Sequence, residues 1–215
     1  MKEIEAFLSA NLEEIVTLIL EDYVGPNGLT KVFTDAGLMK YWFPVSNMPK
    51  NGEDWPLVSD MVANNRRLIV FTSIQSKEAS EGIAYQWNYM VENQCKAYIY
   101  IYISMNNFTI SVCEIFRTCK NQLKLYNQNI QFLYVNLTDG NGGMEAGSCP
   151  NRGESSALDD KRKSLVLVNF FHSISWKSLT CKDNSGDLIN MLHTCYGSAG
   201  NRWANFVAVD YYKVF

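Results

Sequence analysis

The chain has 215 residues, 47% of them hydrophobic and 19% charged, with a formal net charge of −3. That is enough apolar material for one α/β domain with a sizeable core, and the lack of any basic stripe argues against a nucleic-acid partner. No run approaches the roughly 18 apolar residues of a membrane helix. The opening residues, MKEIEAFLSANLEE, alternate charged and apolar positions where a signal peptide would carry an apolar core.

In chain order, residues 2–10 carry Ile4, Phe7 and Leu8 on one helical face. The run from Ile15 to Leu20 is apolar, β-branched and too short for an independent helix, which predicts a strand buried on both faces. It stops at two acids, Glu21 and Asp22, before Gly25-Pro26-Asn27-Gly28 turns the chain toward a second helix over Leu29 to Leu38. The acids therefore sit at the C-terminal end of a strand, the rim where α/β folds build their sites. The plainer reading is that they solubilise a strand end.

Tyr41 to Pro49 is an aromatic, proline-bounded loop, and Trp42 and Trp55, beside prolines, are expected in the core. Trp55-Pro56 opens a third helix reaching about Asn64, and Arg66-Arg67 leads into a buried strand over Leu68 to Thr72. Residues 73–82 are polar and loop-like. From Ile83 to Val91, Tyr85, Trp87 and Tyr89 alternate with Gln86 and Asn88, predicting a half-polar strand. Leu165 to Phe171 is the fourth strand, Leu188 to Cys195 a helix stopped by Gly197 and Gly200, and Phe206 to Tyr212 the fifth strand. Apolar strands alternating with helices and ending in polar residues have the rhythm of a parallel barrel or doubly wound sheet.

The six cysteines make no CxxC pair of the kind a zinc site uses. The natural reading is secreted-type disulfide bonding among Cys149, Cys181 and Cys195. Residues 95–139 depart from their surroundings: they lack Gly and Pro and begin with Tyr and Ile alternating from Tyr98 to Ile103. As protein this is an edge hairpin. As nucleic acid, Tyr-Ile repeats are what an AT dinucleotide repeat encodes. Gln94-Cys95-Lys96 and Thr138-Asp139 can be encoded by an intron donor and acceptor, so the segment is read as translated intron, whose excision leaves VENQ-Tyr-GNGG.

Several stretches resemble one plant family, the secreted PI-PLC X domain-containing proteins of the PLC-like phosphodiesterase superfamily. They are KEIEAFLSAN (2–11), TLILEDYV (17–24), GLTKVF (28–33), YWFPVSNMP (41–49), GEDWP (52–56), RLIVFTS (67–73), YQWNYMVEN (85–93), GSCPNR (147–152) and GNRWANFVAVDYYK (200–213). The resemblance implies an incomplete TIM barrel, its last five strands carried by residues 1–94 and 140–215 with the insertion between. It also implies a phosphodiesterase acting on a phosphoinositide-like or other phosphodiester lipid head group, and a secreted or cell-surface parent, whereas this chain as it stands lacks the leader for export.

In that family two histidines act as general base and general acid. Their motifs lie in the N-terminal half and do not occur here; the histidines present are His172 and His193. By motif, Asp210 matches the acid that orients the base histidine, and Glu21 matches a calcium-ligand position, the other oxygen ligands lying outside this chain. Trp87 and Tyr85 are candidates to stack on a head group, and Arg67 or Arg152 to meet a phosphate, although each also reads as a packing residue. The isolated chain, with its β-forming insertion and open barrel edge, is expected to be poorly soluble and without a cooperative melt. Two other classes are kept beside the enzyme. One is a non-catalytic fragment or splice or gene-model product binding partners through exposed barrel edges. The other is a glycoside hydrolase pairing Glu21 with Asp210.

Overall fold

A computed structural model describes residues 1–94, 149–170, 186 and 188–209, together with the backbone of 100–105, 108–113 and 135–136. The chain divides into two compact units, Met1–Met90 with Lys161–Ser164 and Val91–Asp160 with Leu165–Phe215. Both are α/β, and their core sheets contain parallel strands.

The first unit begins with α1 (Lys2–Ala10), which buries Leu8 completely while Phe7 stays exposed. Next comes β1 (Val16–Leu20), then α2 (Gly28–Asp35), short 3-10 turns at Leu38–Tyr41 and Val45–Asn47, and α3 (Val58–Ala63). Helix α2 stops short of the expected Leu38 because Gly37 takes a left-handed φ of +73°. Strand β2 (Leu68–Thr72) pairs in parallel with β1, from Val16 against Leu68 to Leu20 against Thr72, and with β3 (Ala84–Tyr85) on its other side. The core behind this sheet holds Leu8, Leu29, Phe33, Leu38, Tyr41, Leu68, Val70 and Ile83. Trp42 and Trp55 are half-buried, with Trp42 edge-on to Phe33 and Trp55 donating through Nε1 to Ser164 Oγ at 2.9 Å.

The order β1-β2-β3 puts the fully buried LIVFT strand in the middle and VTLIL at an edge. All five β1 residues are half-buried, not enclosed on both faces as their composition predicts. The reason is topological: an edge strand keeps one flank without a neighbour, whatever its hydrophobicity.

Two expectations are corrected here. Residues 73–82 contain a helix, α4 (Ser76–Glu81), closed by Gly82 at φ +67°. The predicted strand over 83–91 is broken: β3 is followed by one helical turn, α5 (Gln86–Tyr89), then β4 (Met90–Glu92). The Glu78 carboxylate accepts the Tyr85 N–H at 2.7 Å and Asn88 Nδ2 at 3.1 Å, tying the turn at both ends. Gln86 is buried with Trp87 and Tyr89, so the aromatic alternation does not sort residues onto two faces.

In the second unit β4 pairs with β8 (Leu165–Asn169), which pairs in parallel with β9 (Phe206–Ala208). Helix α6 (Leu188–Ser198) runs through Gly197, and the turn after it takes positive φ at Gly200 and Asn201. Its Met191 and Cys195 join Val91, Cys149, Leu158, Val166, Val168, Phe170 and Ala199 in the core. The disulfide is Cys149–Cys195, closing a separation of 46 residues; a loop of that length removes about 4 kcal/mol of entropy from the unfolded chain. Cys181 lies outside the described residues. The atypical stretch forms β5 (Tyr100–Met105), β6 (Phe108–Cys113) and β7 (Val135–Asn136), an antiparallel sheet of its own.

The β1 edge gives a residue-level expectation. Val16 donates its N–H to Arg67 O at 2.8 Å, so by strand alternation Leu18 and Leu20 also point to β2 while Thr17 and Ile19 point outward. In amide hydrogen exchange of this chain, Thr17 and Ile19 should exchange at least about tenfold faster than Leu18. Equal protection would mean that the outer edge is paired.

Candidate functional site

Register brings the ends of β1, β2 and β3 to one level, since Leu20 faces Thr72 and Thr72 faces Tyr85. The residues after them form a polar rim. Asp22 is buried at 4% exposure. Its carboxylate accepts Thr72 Oγ1 at 2.9 Å, the Val24 N–H at 2.8 Å and the Lys77 ammonium at 2.8 Å, while its own N–H donates to Ser73 Oγ at 3.0 Å. Lys77, also 4% exposed, donates to Val24 O at 2.9 Å and lies 3.6 Å from Glu81. Glu81 accepts the Asn27 N–H, the Thr30 N–H and the Thr30 hydroxyl, which together hold the first turn of α2.

Charge follows from these contacts. Burial pushes the Asp22 carboxyl up, but hydrogen bonds from Lys77, the Val24 N–H and Thr72 outweigh it and hold the group below its ordinary range. For Glu81, burial is likewise outweighed by the Thr30 and Asn27 bonds and by Lys77. Both acids are ionised at neutral pH, with Lys77 as their shared counter-ion. Burial, reinforced by the negative charge of Glu78, raises Tyr89 to about 12, so its phenol stays protonated.

Glu21, next to this lock, is exposed and accepts the Tyr23 hydroxyl. As a calcium position it is one carboxylate: its neighbour Asp22 is committed to Lys77, and no group of three potential metal ligands occurs among the described residues. A hard cation needs several oxygens, so the described residues do not by themselves compose such a site.

Tyr85 is half-buried at the rim and edge-on to Trp87, centroids 5.3 Å apart; Trp87 is 7% exposed. Arg67 precedes β2 and so lies at the opposite end of the sheet. Its guanidinium is 2% exposed and donates to Leu8 O, Asn11 O, Glu14 O and Asn65 Oδ1 while stacking 4.8 Å over Tyr41. It caps the C-terminal carbonyls of α1. Asp210 and His172 lie outside the described residues. His193, on α6, is exposed and stands edge-on to Trp203, centroids 5.2 Å apart.

The second unit holds a cluster of which the sequence pattern points only to Arg152. Glu92, at the end of β4, is 3% exposed and takes Arg152 Nη1 at 3.0 Å and Asn169 Nδ2 at 2.7 Å. Asn93 Oδ1 accepts the Asn169 N–H at 2.6 Å, and Ser155 Oγ accepts the Glu92 N–H. The GSCPNR loop presents Arg152: Gln94 donates to Pro150 O and Arg152 to Glu92 O, each at 2.8 Å, with the disulfide fixing Cys149. Arg152 also pairs with Glu154, and although burial opposes its charge, the two carboxylates raise its pKa. A Glu-Asn pair directly behind Met90-Val91, and an Asn inside LVLVNFF, were the signals available in the sequence.

These features define an α/β protein whose parallel strands run from apolar cores into buried polar clusters tied by ion pairs. The PI-PLC X family profile matches residues 1–139, and the chain belongs to that family. A PI-PLC X domain-containing protein of Arabidopsis thaliana is 44% identical over 213 residues, covering 99% of this chain and 40% of the relative. The chain thus spans less than half the length of that curated protein. No solved structure matches it.

The rim lock has a pH signature. Both carboxyls are depressed in the folded state, so their contribution is fully present above the unfolded carboxylate range near pH 4 and is lost as pH falls through the lower folded values. Amide NMR shifts of Val24, Asn27 and Thr30 should therefore hold steady from pH 7 to about 4.5 and move only below about pH 4. Lys77→Met, which leaves two buried carboxylates unpaired, should move that transition upward and destabilise the rim by about 3–5 kcal/mol. An unchanged transition would mean that the backbone bonds alone hold both acids.

Proposed function

We propose that the protein to which this sequence belongs is a phosphodiesterase of the PLC-like type acting on phosphoinositide or related lipid head groups, and that this chain alone is inactive. The observation that carries the reading is the PI-PLC X match over residues 1–139. In this reading the parallel strands are the last five of an eight-stranded barrel, and both proton-transferring histidines lie in the part of the family pattern that this chain does not carry. A neighbouring hydroxyl of the head group attacks phosphorus, one imidazole takes its proton, and a second protonates the leaving oxygen. Asp210 orients an imidazole supplied from outside this chain. Glu21 contributes one oxygen to a cation completed by ligands from elsewhere, and Tyr85 lines the head-group side of the rim. The rim lock and the Glu92 cluster support this chemistry by fixing strand ends with internally neutralised charge.

We further propose that residues 95–139 are translated intron. Three features support this: their composition, the splice-compatible junctions, and the fact that β5, β6 and β7 pair among the described residues only with one another. A second reading, a non-catalytic fragment that binds partners through its exposed strand edge, draws on the edge position of β1.

The test compares this chain with a full-length version lacking 95–139, measuring release of phosphorylated head group from phosphatidylinositol vesicles. The full-length form should be active and this chain inactive. Asp210→Asn in the full-length form should lower kcat by about 10² to 10⁴ with little change in KM. Hydrolysis by this chain alone, or none by either, would overturn the enzymatic reading.

A further inference from the structure

The turn from Lys50 to Glu53 is closed by the Glu53 N–H donating to Lys50 O at 3.1 Å and by the Lys50 N–H donating to the Glu53 carboxylate at 3.2 Å. Its central residues both take left-handed conformations, Asn51 at φ +54° and Gly52 at φ +83°. Two successive positive φ values select Asn-Gly, and here the glycine has no substitute, because a Cβ on it would stand 2.3 Å from Lys161 O. The fold therefore fixes glycine after Asn51, and so sets at an exposed turn the dipeptide whose side-chain amide is most readily attacked by the following backbone nitrogen. Neither the Asn51 side chain nor the Gly52 N–H has a hydrogen-bond partner among the described residues.

A second Asn-Gly pair is the internal contrast. At Asn27-Gly28 the attacking nitrogen is committed, since Gly28 donates to Gly25 O at 3.1 Å. Asn27 is also fixed by its own N–H to Glu81 and by accepting the Lys31 N–H. Of the chain's three Asn-Gly pairs the two that are described differ in surroundings: at Asn51-Gly52 neither reacting group is held by a hydrogen bond, whereas Asn27-Gly28 is locked at the head of α2, and the third, Asn141-Gly142, lies outside the described residues.

We propose that Asn51-Gly52 is a site of spontaneous modification in the folded protein: cyclisation to a succinimide, hydrolysis to isoaspartate, and hence a substrate for carboxyl methylation by an S-adenosylmethionine-dependent methyltransferase. The Gly52 nitrogen bonds to Asn51 Cγ, the Cγ–Nδ2 bond breaks, and the nitrogen's proton leaves with the ammonia released. Water then opens either imide carbonyl, giving aspartate or isoaspartate. The isoaspartyl link adds a methylene to the backbone at the point where Gly52 is fitted against Lys161. The modified turn cannot keep that contact, and the segment leading to Trp55 and its bond to Ser164 shifts with it. This inference does not depend on the catalytic reading.

The test is ageing of the full-length natural protein at neutral pH, native and in urea, followed by tryptic mapping. Asn51 falls in the peptide 51–66 and Asn27 in 3–31. In the native protein, the mass gain of amide-to-acid conversion, located by fragmentation, should appear at Asn51 at least about tenfold faster than at Asn27. In urea the two rates should converge. Methyl transfer from labelled S-adenosylmethionine to the 51–66 peptide should follow the Asn51 signal and vanish in Asn51→Gly, which keeps the left-handed turn. A native Asn51 amide as durable as that of Asn27, or methyl labelling of the 51–66 peptide that survives in Asn51→Gly, would overturn the proposal.

Discussion

One buried cation organises the first unit. Lys77 leaves water to stand between Asp22 and Glu81, and each of the two acids fixes a different piece of backbone: Asp22 the chain leaving β1, Glu81 the first turn of α2. Burying three charges is costly unless each is paired and its remaining valences filled. Here they are filled by Thr72, by the Val24, Asn27 and Thr30 N–H groups and by Val24 O. The arrangement contributes less to net stability than to specificity, because every alternative position of the β1–α2 loop leaves at least one of those charges unmet. Glu21 and Tyr23 therefore project from a loop whose base cannot drift.

The same logic, with different residues, recurs in the second unit. Glu92 ends β4 as Asp22 follows β1, but its counter-ion comes from a loop, so Arg152 must be delivered by the chain path itself. The disulfide at Cys149 and the two backbone bonds to Pro150 O and Glu92 O perform that delivery. Asn169 donates to the same Glu92 oxygen, Oε1, as Arg152 does and, through Asn93, joins the ends of two paired strands. Arg152 is already shared by Glu92 and Glu154, so its charge is largely spent within the cluster, and the loop reads as a clasp on the strand ends before it reads as an anion receptor.

What was legible in the sequence follows from this distribution of charge. The strands β1, β2, β8 and β9 and the helices α1, α2, α3 and α6 announced themselves by apolar runs or stripes. Helix α4 did not, because its buried face is made of Lys77 and Glu81: the 3.6-residue period is present, but carried by charges that pattern reading assigns to solvent. Helical turn α5 was hidden by the opposite accident, aromatic alternation without facial separation. Arg67, plausible as a phosphate contact by its chemistry, is spent on four acceptors at the far end of the sheet, which no local pattern reveals because three of its partners lie more than fifty residues away. The Asp22 partnership is hidden for the same reason: beside the local Val24 N–H, its side-chain partners are Thr72 and Lys77, fifty residues and more away.

The edge strand shows how far composition and surroundings can part. VTLIL has the composition of a strand enclosed on both sides, yet each of its residues is only half-buried, while LIVFT beside it is fully enclosed. Parallel sheets are found with their faces covered and their strands flanked, because their apolar runs have no polar face to offer water. An edge of that composition is a poor place to end a sheet, since its outward N–H and C=O groups remain available for pairing. β1 is thus the strand of this sheet whose surroundings fall furthest short of its composition, and Thr17 and Ile19 carry its unpaired backbone groups among the described residues.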